Sequence, residues 1–477
     1  MARFAAVVVS LSFLACRGFA SPLSVEVSDA LWPQWLQLLH ASPLPEGVQT
    51  ARAQPDSSPS GDLAVLELGT EGKVVGFMPL VPVVSLGQEQ STVTLEQVSQ
   101  GKIKTLPLSA VSLPDLAVPL DGLLPDQKGY PLFQKIVLRL KSSNTELLDW
   151  YTHIVEQTSP STGRRAGIMW IEAVGDIMPA RGVDKTLLSS GGLERVFTDT
   201  LPVLQGADLL LGNLESTSAE DGTPENKSYT FRFRGEAVKE LKEAGFSYVC
   251  LANNHTFDFG ERGFLQTLTA VSKAGILTSG AGRNLHEASS PAVFNAGDQE
   301  VRVLSFGAFP VERTGFDGRV SERVTDSRPG ILWLDEQGLT AEDRGFQVPG
   351  AFNIAFVHGG QEWRTTPTPE QRNMYRELVA HGASLVLSAH PHVLQGMEAI
   401  GDSLIVYSLG NFLFPGMDGT PGGQDSVILK VGVYEGRIRY VQAIPVRLSD
   451  GTVSRARGDG ALEDFLARTR EIARGRN

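Results

Sequence analysis

The sequence has little cysteine, an excess of acid over base, and no long apolar run beyond its first residues. Only Cys16 and Cys250 occur among its 477 residues. If Cys16 is removed or lipidated, Cys250 has no intramolecular partner, so a disulfide framework is excluded. Lys and Arg number 42 against 54 Asp and Glu, a formal net charge of −12. That argues against a nucleic-acid partner or a broad anionic-membrane surface. It leaves room for a small positive site made by bound metal ions. No stretch after the first twenty residues is long and apolar enough to span a bilayer. What is present is ordinary globular composition, 42% hydrophobic and 20% charged, enough for a sizeable core. The length suggests two or three domains.

Residues 1–20 read as a signal peptide. Arg3 supplies the positive region, and residues 4–15 are apolar but too short to span a bilayer. Two processing readings stand side by side. Gly18-Phe19-Ala20 fits small-residue cleavage before Ser21, whereas Leu14-Ala15-Cys16 resembles a relaxed lipoprotein box. Either way the protein is expected to be exported, periplasmic or lipid-anchored at the cell envelope. Cys250 follows Ser247-Tyr248-Val249 in an apolar run and reads as a buried, inert thiol.

Residues 22–158 carry no metal-ligand cluster and read as a smaller α+β accessory domain. A Pro/Ser/Gly/Asp-rich loop occupies 54–62, runs 63–68 and 136–140 read as strands, and 145–157 reads as a helix with Asn144 as N-cap. Residues 159–167 are polar and suit a linker. Beyond them, apolar runs at 168–174, 208–211, 248–252, 301–306, 352–357, 384–387 and 404–407 alternate with helical stretches such as 263–274 and 369–381. That alternation predicts an α/β domain over 168–448. Its last part, 426–433 then 437–445, reads as a hairpin turned at Glu435-Gly436. A C-terminal helical tail is expected over 449–477.

Metal-capable residues recur where these strands end. Asp176 follows the first, Asn213 and Glu215 the second, and Asn253, Asn254, His255 and Asp258 the third. His358 and Glu362 follow a later strand, His390 and His392 the next, and Asn411 the last. Ligand sites of open α/β sheets lie beyond the carboxyl ends of strands. Two divalent ions need a mixture of imidazole and oxygen ligands. Such a pair activates water and clamps a phosphoryl oxygen. A histidine without metal can serve as acid toward the leaving oxygen. Asp258 either caps the helix that follows or orients His255. His40, His153, His286 and His381 lie outside these motifs and read as surface or packing residues.

Gly175-Asp176-Ile177-Met178, Asn213-Leu214-Glu215, Asn253-Asn254-His255-Thr256-Phe257-Asp258, His390-Pro391-His392-Val393 and Ser408-Leu409-Gly410-Asn411-Phe412 resemble the successive motifs of the bacterial CapA capsule-synthesis (poly-γ-glutamate) family. The resemblance implies a calcineurin-like metallophosphoesterase sandwich of two sheets flanked by helices. It implies two divalent ions of Mn, Fe or Zn type. Asp176 and His392 would bind one ion, and Asn254, His358 and His390 the other, with Glu215 bridging. His255 would be the acid or phosphate contact, oriented by Asp258. Arg181, Arg232 and Asn213 would bind substrate. The expected partners are an envelope polymer or phosphoester substrate and capsule-export membrane proteins.

Three positions depart from these patterns. Met178 stands where phosphoesterases place a second metal ligand, Gly359 follows His358 where the family has Trp, and Ser384 replaces an Asp. The missing ligand at Met178 and the accessory domain favour a second expectation, a non-catalytic polymer-binding or assembly factor on the same fold. In the N-terminal region, Val81-Pro82-Val83-Val84 and Thr94-Leu95-Glu96-Gln97 with the residues after it weakly resemble periplasmic solute-binding proteins.

Overall fold

The computed structural model describes residues 23–27, 48–52, 64–68, 73–88, 93–125, 127, 130–140, 168–296, 299–335, 348, 350–456, 458 and 460–475. The expected signal peptide with Cys16, the 54–62 loop, the 145–157 helix and the 159–167 linker lie outside the described residues. The chain divides into two compact units. The second takes Ile168–Asn477 together with Val84–Ser91 and Ser112–Leu116 from the region expected as the accessory domain.

The first unit is built on a seven-stranded mixed sheet in which Leu23–Val27 runs parallel to Val48–Arg52 and Ala64–Leu68. Phe133–Leu140 lies antiparallel between Ala64–Leu68 and Lys73–Ser85. A short helix, Leu95–Ser99, starts at a reciprocal cap. The Gln97 N–H donates to Thr94 Oγ1 at 3.2 Å, and the Thr94 N–H donates to Gln97 Oε1 at 2.8 Å. Two otherwise orphaned donors are satisfied at once.

The second unit starts one sheet, inserts another, and returns to finish the first. The first sheet begins with β1 (Met169–Ile177), β2 (Leu209–Leu214) and β3 (Phe246–Cys250), all parallel. The second sheet follows with β4 (Ala292–Ala296), β5 (Gln299–Ala308), β6 (Phe352–Gly359), β7 (Leu385–Ala389), β8 (Met397–Ile400) and β9 (Ser403–Val406). Its spatial order is β4-β5-β6-β7-β9-β8, parallel from β5 through β9 with an antiparallel strand at each edge. The chain then returns with β10 (Asn411–Leu413), β11 (Asp425–Tyr434), β12 (Arg437–Ser449) and β13 (Thr452–Arg455). The first sheet reads β3-β2-β1-β11-β12-β13, with β10 parallel beside the end of β1. The segment expected as a helical tail therefore opens with a strand. Thr452–Arg455 pairs back onto the end of β12 before the closing helix begins.

The second sheet shows why its strands read as continuous apolar runs. Val301, Val303, Ile354, Phe356, Leu385, Leu387, Leu404 and Val406 join the large core shared with the first sheet. The alternate residues Leu304, Phe306, Ala355, Val357, Val386 and Ile405 form a separate cluster with Tyr375 and Leu378. Period-2 alternation thus puts apolar residues on both faces, as a sheet covered on each side requires.

Four helices matter for this layering: α1 (Ala237–Glu243), α2 (Gly260–Lys273), α3 (Pro369–Ala380) and α4 (Gly460–Arg474). In α2 the buried residues Gly263, Phe264, Thr267, Leu268 and Val271 make one stripe. Thr368 caps α3 by accepting from the Gln371 N–H at 3.2 Å, with Pro369 in the first turn. On α4, Thr469 Oγ1 accepts from the Met397 N–H at 3.0 Å. That bond ties the last helix to the edge of the second sheet.

Candidate metal centre

The parallel strands of both sheets bring their polar ends to one place. Asp176, near the end of β1, is in register with Asn213 of β2 and Asn411 of β10. Glu215 follows β2, and Asn253, Asn254 and His255 follow β3. From the second sheet, His358 is the penultimate residue of β6, and His390 and His392 follow β7.

His390 and His392 sit on a bend with positive φ at both, 104° and 58°. Non-glycine residues hold that conformation only where their surroundings impose it. Three bonds do so here. The His390 N–H donates to Asp176 Oδ2 at 3.3 Å, the Trp363 N–H donates to Pro391 O at 2.9 Å, and Asn411 Nδ2 donates to His392 O at 3.2 Å. The His392 ring is held in turn, with Nδ1 2.9 Å from Asn411 Oδ1 and 3.3 Å from Asp176 Oδ2.

Glu215 is the centre of the group. Its Oε1 lies 3.8 Å from His358 Nε2, 3.9 Å from His392 Nε2 and 3.9 Å from His255 Nε2. The residue is fully buried, and neither carboxylate oxygen has a hydrogen-bond partner. Burial, and then Asp176, push this carboxyl well above its ordinary range. A buried anion without a partner costs several kcal/mol unless a cation answers it. Ligand atoms bonded to one ion at about 2.0–2.2 Å lie no more than about 4.4 Å apart. The separations around Glu215 Oε1 fall inside that limit.

Two donor sets share the carboxylate: Asp176, Glu215 and His392, and Glu215, His358 and His390. Burial and neighbouring imidazoles hold His358 and His390 well below the ordinary histidine value. The neutral ring is the form that ligates metal. His390 Nε2, like the Glu215 oxygens, is buried without a partner. Burial lowers His392 too, but its bond to Asp176 and that residue's charge outweigh it and leave the ring raised. Asn254 Oδ1 lies 2.8 Å from His358 Nε2. A third set, Glu362 with His390 and His392, includes one exposed carboxylate. These buried His/Asp/Glu triads are suited to hold metal ions.

His255 is placed differently. Its Nδ1 lies 2.7 Å from Asp258 Oδ2, which leaves Nε2 toward Glu215. Asp258 does not cap α2, whose N-cap is Phe259 without a side-chain bond. It accepts instead from the Phe231 N–H at 2.6 Å, and its Oδ1 lies 2.8 Å from the buried Lys227 Nζ. Burial lowers His255 below its ordinary value, against the opposing pull of Asp258.

The expected substrate contacts separate. Arg181 lines a cavity of about 930 Å³ together with His255, His390 and His392. Its guanidinium donates to Pro415 O at 2.8 Å and lies over the Phe231 ring. Arg232 is exposed and lies over Phe259, outside the cavity lining, because alternation in the short strand Arg232–Phe233 turns it away from the buried Phe233. Asn213 is fully buried and acts as a strut. Its Nδ2 donates to Asp176 Oδ1 at 2.8 Å and its Oδ1 accepts from Asn253 Nδ2 at 3.0 Å. Met178 is buried in the apolar core and offers the centre nothing.

Sequence reasoning missed Lys227, Trp363 and the strut role of Asn253. Lys227 sits in an irregular polar loop, and its burial comes from Asp258 and from Glu312, whose Oε1 is 3.2 Å away. No local pattern signals that. Trp363, one residue after Glu362, places its ring 5.4 Å from that of His392.

The fold and site define a mixed α/β protein of two main sheets that encloses a buried His/Asp/Glu centre. Residues 171–416 match the family described as bacterial capsule synthesis protein PGA_cap, and the chain belongs to that family. It is 28% identical over 335 residues to the capsule biosynthesis protein CapA of Bacillus anthracis, covering 68% of this chain and 78% of the relative. It is 26% identical over 297 residues to the PGA biosynthesis protein CapA of Bacillus subtilis, covering 62% and 76%. Among solved structures, a hypothetical protein from Thermus thermophilus is matched at a TM-score of 0.38 and 14% identity, over 59% of this chain and all of that one.

Proposed function

We propose that the protein is an exported, metal-dependent phosphoesterase of capsule or poly-γ-glutamate synthesis, acting on an envelope polymer or its precursor. The observation that carries this reading is Glu215, a fully buried carboxylate without a hydrogen-bond partner, shared by two sets of imidazole and carboxylate donors. Asp176 and His392 would hold one divalent ion and Asn254, His358 and His390 the other, with Glu215 between. Ions of Mn, Fe or Zn type bound there supply Lewis acidity and lower the pKa of water.

The chain's own residues supply the rest. His255 lines the cavity with Nδ1 fixed by Asp258, which leaves Nε2 to exchange a proton. It would accept one from water as the neutral ring and return it to a leaving oxygen from the doubly protonated one. Arg181, anchored at Pro415 O, gives the cavity a fixed cation for an anionic oxygen. The names of the two Bacillus relatives support a place in capsule or PGA biosynthesis. The apolar segment at residues 4–15 supports export. Capsule-export membrane proteins are the partners such a location suggests.

Metal content of the purified protein, paired with hydrolysis of bis(p-nitrophenyl) phosphate in added manganese, tests the reading. About two ions per chain with turnover abolished by His390→Ala is the expected result. No bound metal and no turnover across several divalent ions would leave a non-catalytic assembly factor.

A further inference from the structure

We infer that the cavity takes a substrate whose phosphoryl group is carried on a pyranose ring, with Trp363 as the platform for that ring. This rests on the phosphoesterase reading and names its substrate class.

Trp363 holds a positive φ of 63°, an unfavourable conformation for a large side chain. Its N–H donates to Pro391 O at 2.9 Å, so the bend that presents His390 and His392 also fixes Trp363. The indole lines the cavity 5.4 Å from the His392 ring and is 42% exposed. Tyr229 lines the same cavity, 65% exposed and stacked on Phe231, whose ring lies 4.4 Å from that of His255. Two large, partly exposed aromatic rings therefore line the cavity, Trp363 beside His392 and Tyr229 one ring removed from His255. Strain held in place around an exposed ring is a mark of a binding element.

Charge narrows what that ring receives. Three arginines, Arg181, Arg313 and Arg319, line the cavity with three glutamates, Glu312, Glu362 and Glu370. The lining side chains offer no cationic excess to a dense polyanion. Away from the phosphoryl group they suit a neutral ring rich in hydroxyls, which donate to carboxylates and accept from guanidiniums. The C–H face of a pyranose is apolar and slightly positive, which matches the negative face of an indole.

The test compares kcat/KM for glucose 1-phosphate and glycerol 2-phosphate in manganese for the wild-type protein, Trp363→Ala and Trp363→Phe. Saturation-transfer NMR of methyl α-glucopyranoside gives a readout free of catalysis. The expected preference for the sugar phosphate is about tenfold, worth about 1.4 kcal/mol. It should fall toward one in Trp363→Ala and be largely kept in Trp363→Phe. A wild-type ratio near one, or one unchanged by Trp363→Ala, overturns the inference. Displacement of the glucoside by adenosine monophosphate or triglutamate at lower concentration than by glucose 1-phosphate also overturns it. If no phosphoester is cleaved but the glucoside signal disappears with Trp363→Ala, the hydrolase reading falls and takes the phosphoryl part of the inference with it, while Trp363 as the sugar platform stands.

Discussion

Asp258 Oδ2 lies 2.7 Å from His255 Nδ1, and that contact decides which ring nitrogen is left for the cavity. A carboxylate at Nδ1 fixes the ring's orientation and favours the tautomer with its proton there. The Nε2 edge, 3.9 Å from Glu215 Oε1, is then the functional one.

Asp258→Asn should leave metal content unchanged and lower kcat by roughly 10²–10⁴, the range of a mispositioned acid–base group. Metal analysis and steady-state kinetics on the same preparation separate the two effects. A variant that loses its metal together with activity would show that Asp258 supports the centre instead of the acid.

A chelator should destabilise the wild-type protein, because it strips whatever answers the Glu215 charge. A ligand at a hundred times its dissociation constant stabilises by about 2.7 kcal/mol. The thermal midpoint should rise with added manganese in the wild type and stay nearly flat in Glu215→Gln. Equal shifts in both would remove Glu215 from the site.

Most of this centre was legible because its residues sit at strand ends. An apolar run can be read from the sequence, and the polar residue that closes it is then placed by the sheet. Asp176, His358 and the residues after β3 and β7 follow that rule. Arg232 did not, since the two-residue strand that turns it outward is too short to give a periodic signal. Thr452–Arg455 escaped for the same reason, being a strand only through pairing with β12. Lys227 and Trp363 gain their places from chain far away in sequence or from a bend that no local pattern announces.

Glu172 and Lys430 face each other across β1 and β11, with Nζ 3.2 Å from Oε1. The second Glu172 oxygen is buried without a partner. Burial raises this carboxyl above the ordinary glutamate value of 4.5, against the pull of Lys430. A group whose folded pKa is raised contributes stability below its unfolded value and loses it as pH rises through the folded one. Glu172→Gln should therefore gain on the wild type from about pH 4.5 upward, read as melting midpoints between pH 4 and 8. A gap independent of pH would contradict this. Lys430→Met, which removes the pull opposing burial, should raise the Glu172 carboxyl further and lower the melting midpoint near neutrality.

Cys250 is buried, and its thiol is pushed up to about 12 by burial. The thiolate is the reactive form. In a Cys16→Ser background the native protein should show almost no reaction with a disulfide reagent at pH 8, and one thiol after denaturation. Rapid native labelling would mean that β3 opens readily.

Gly175 is the position where the two sheet segments beside β1 depend on a missing side chain. A Cβ there would lie 1.8 Å from the Gly410 carbonyl oxygen, an overlap with backbone that no rotamer relieves. That close approach lets the Asp176 N–H donate to Gly410 O at 3.0 Å and brings Asn411 into register with Asp176. Asn411 in turn holds both the ring and the carbonyl of His392. Gly175→Ala should thus do two things together. It should cost at least the upper part of the roughly 1–3 kcal/mol typical of overpacking, and it should weaken metal binding through Asp176 and His392. Gly460→Ala, where an added Cβ meets nothing within 4 Å, is the control and should be neutral or stabilising. Denaturant unfolding with metal titration reads both quantities. A Gly175→Ala protein of normal stability and normal metal affinity would mean that β10 is free to move away from β1 without disturbing the centre.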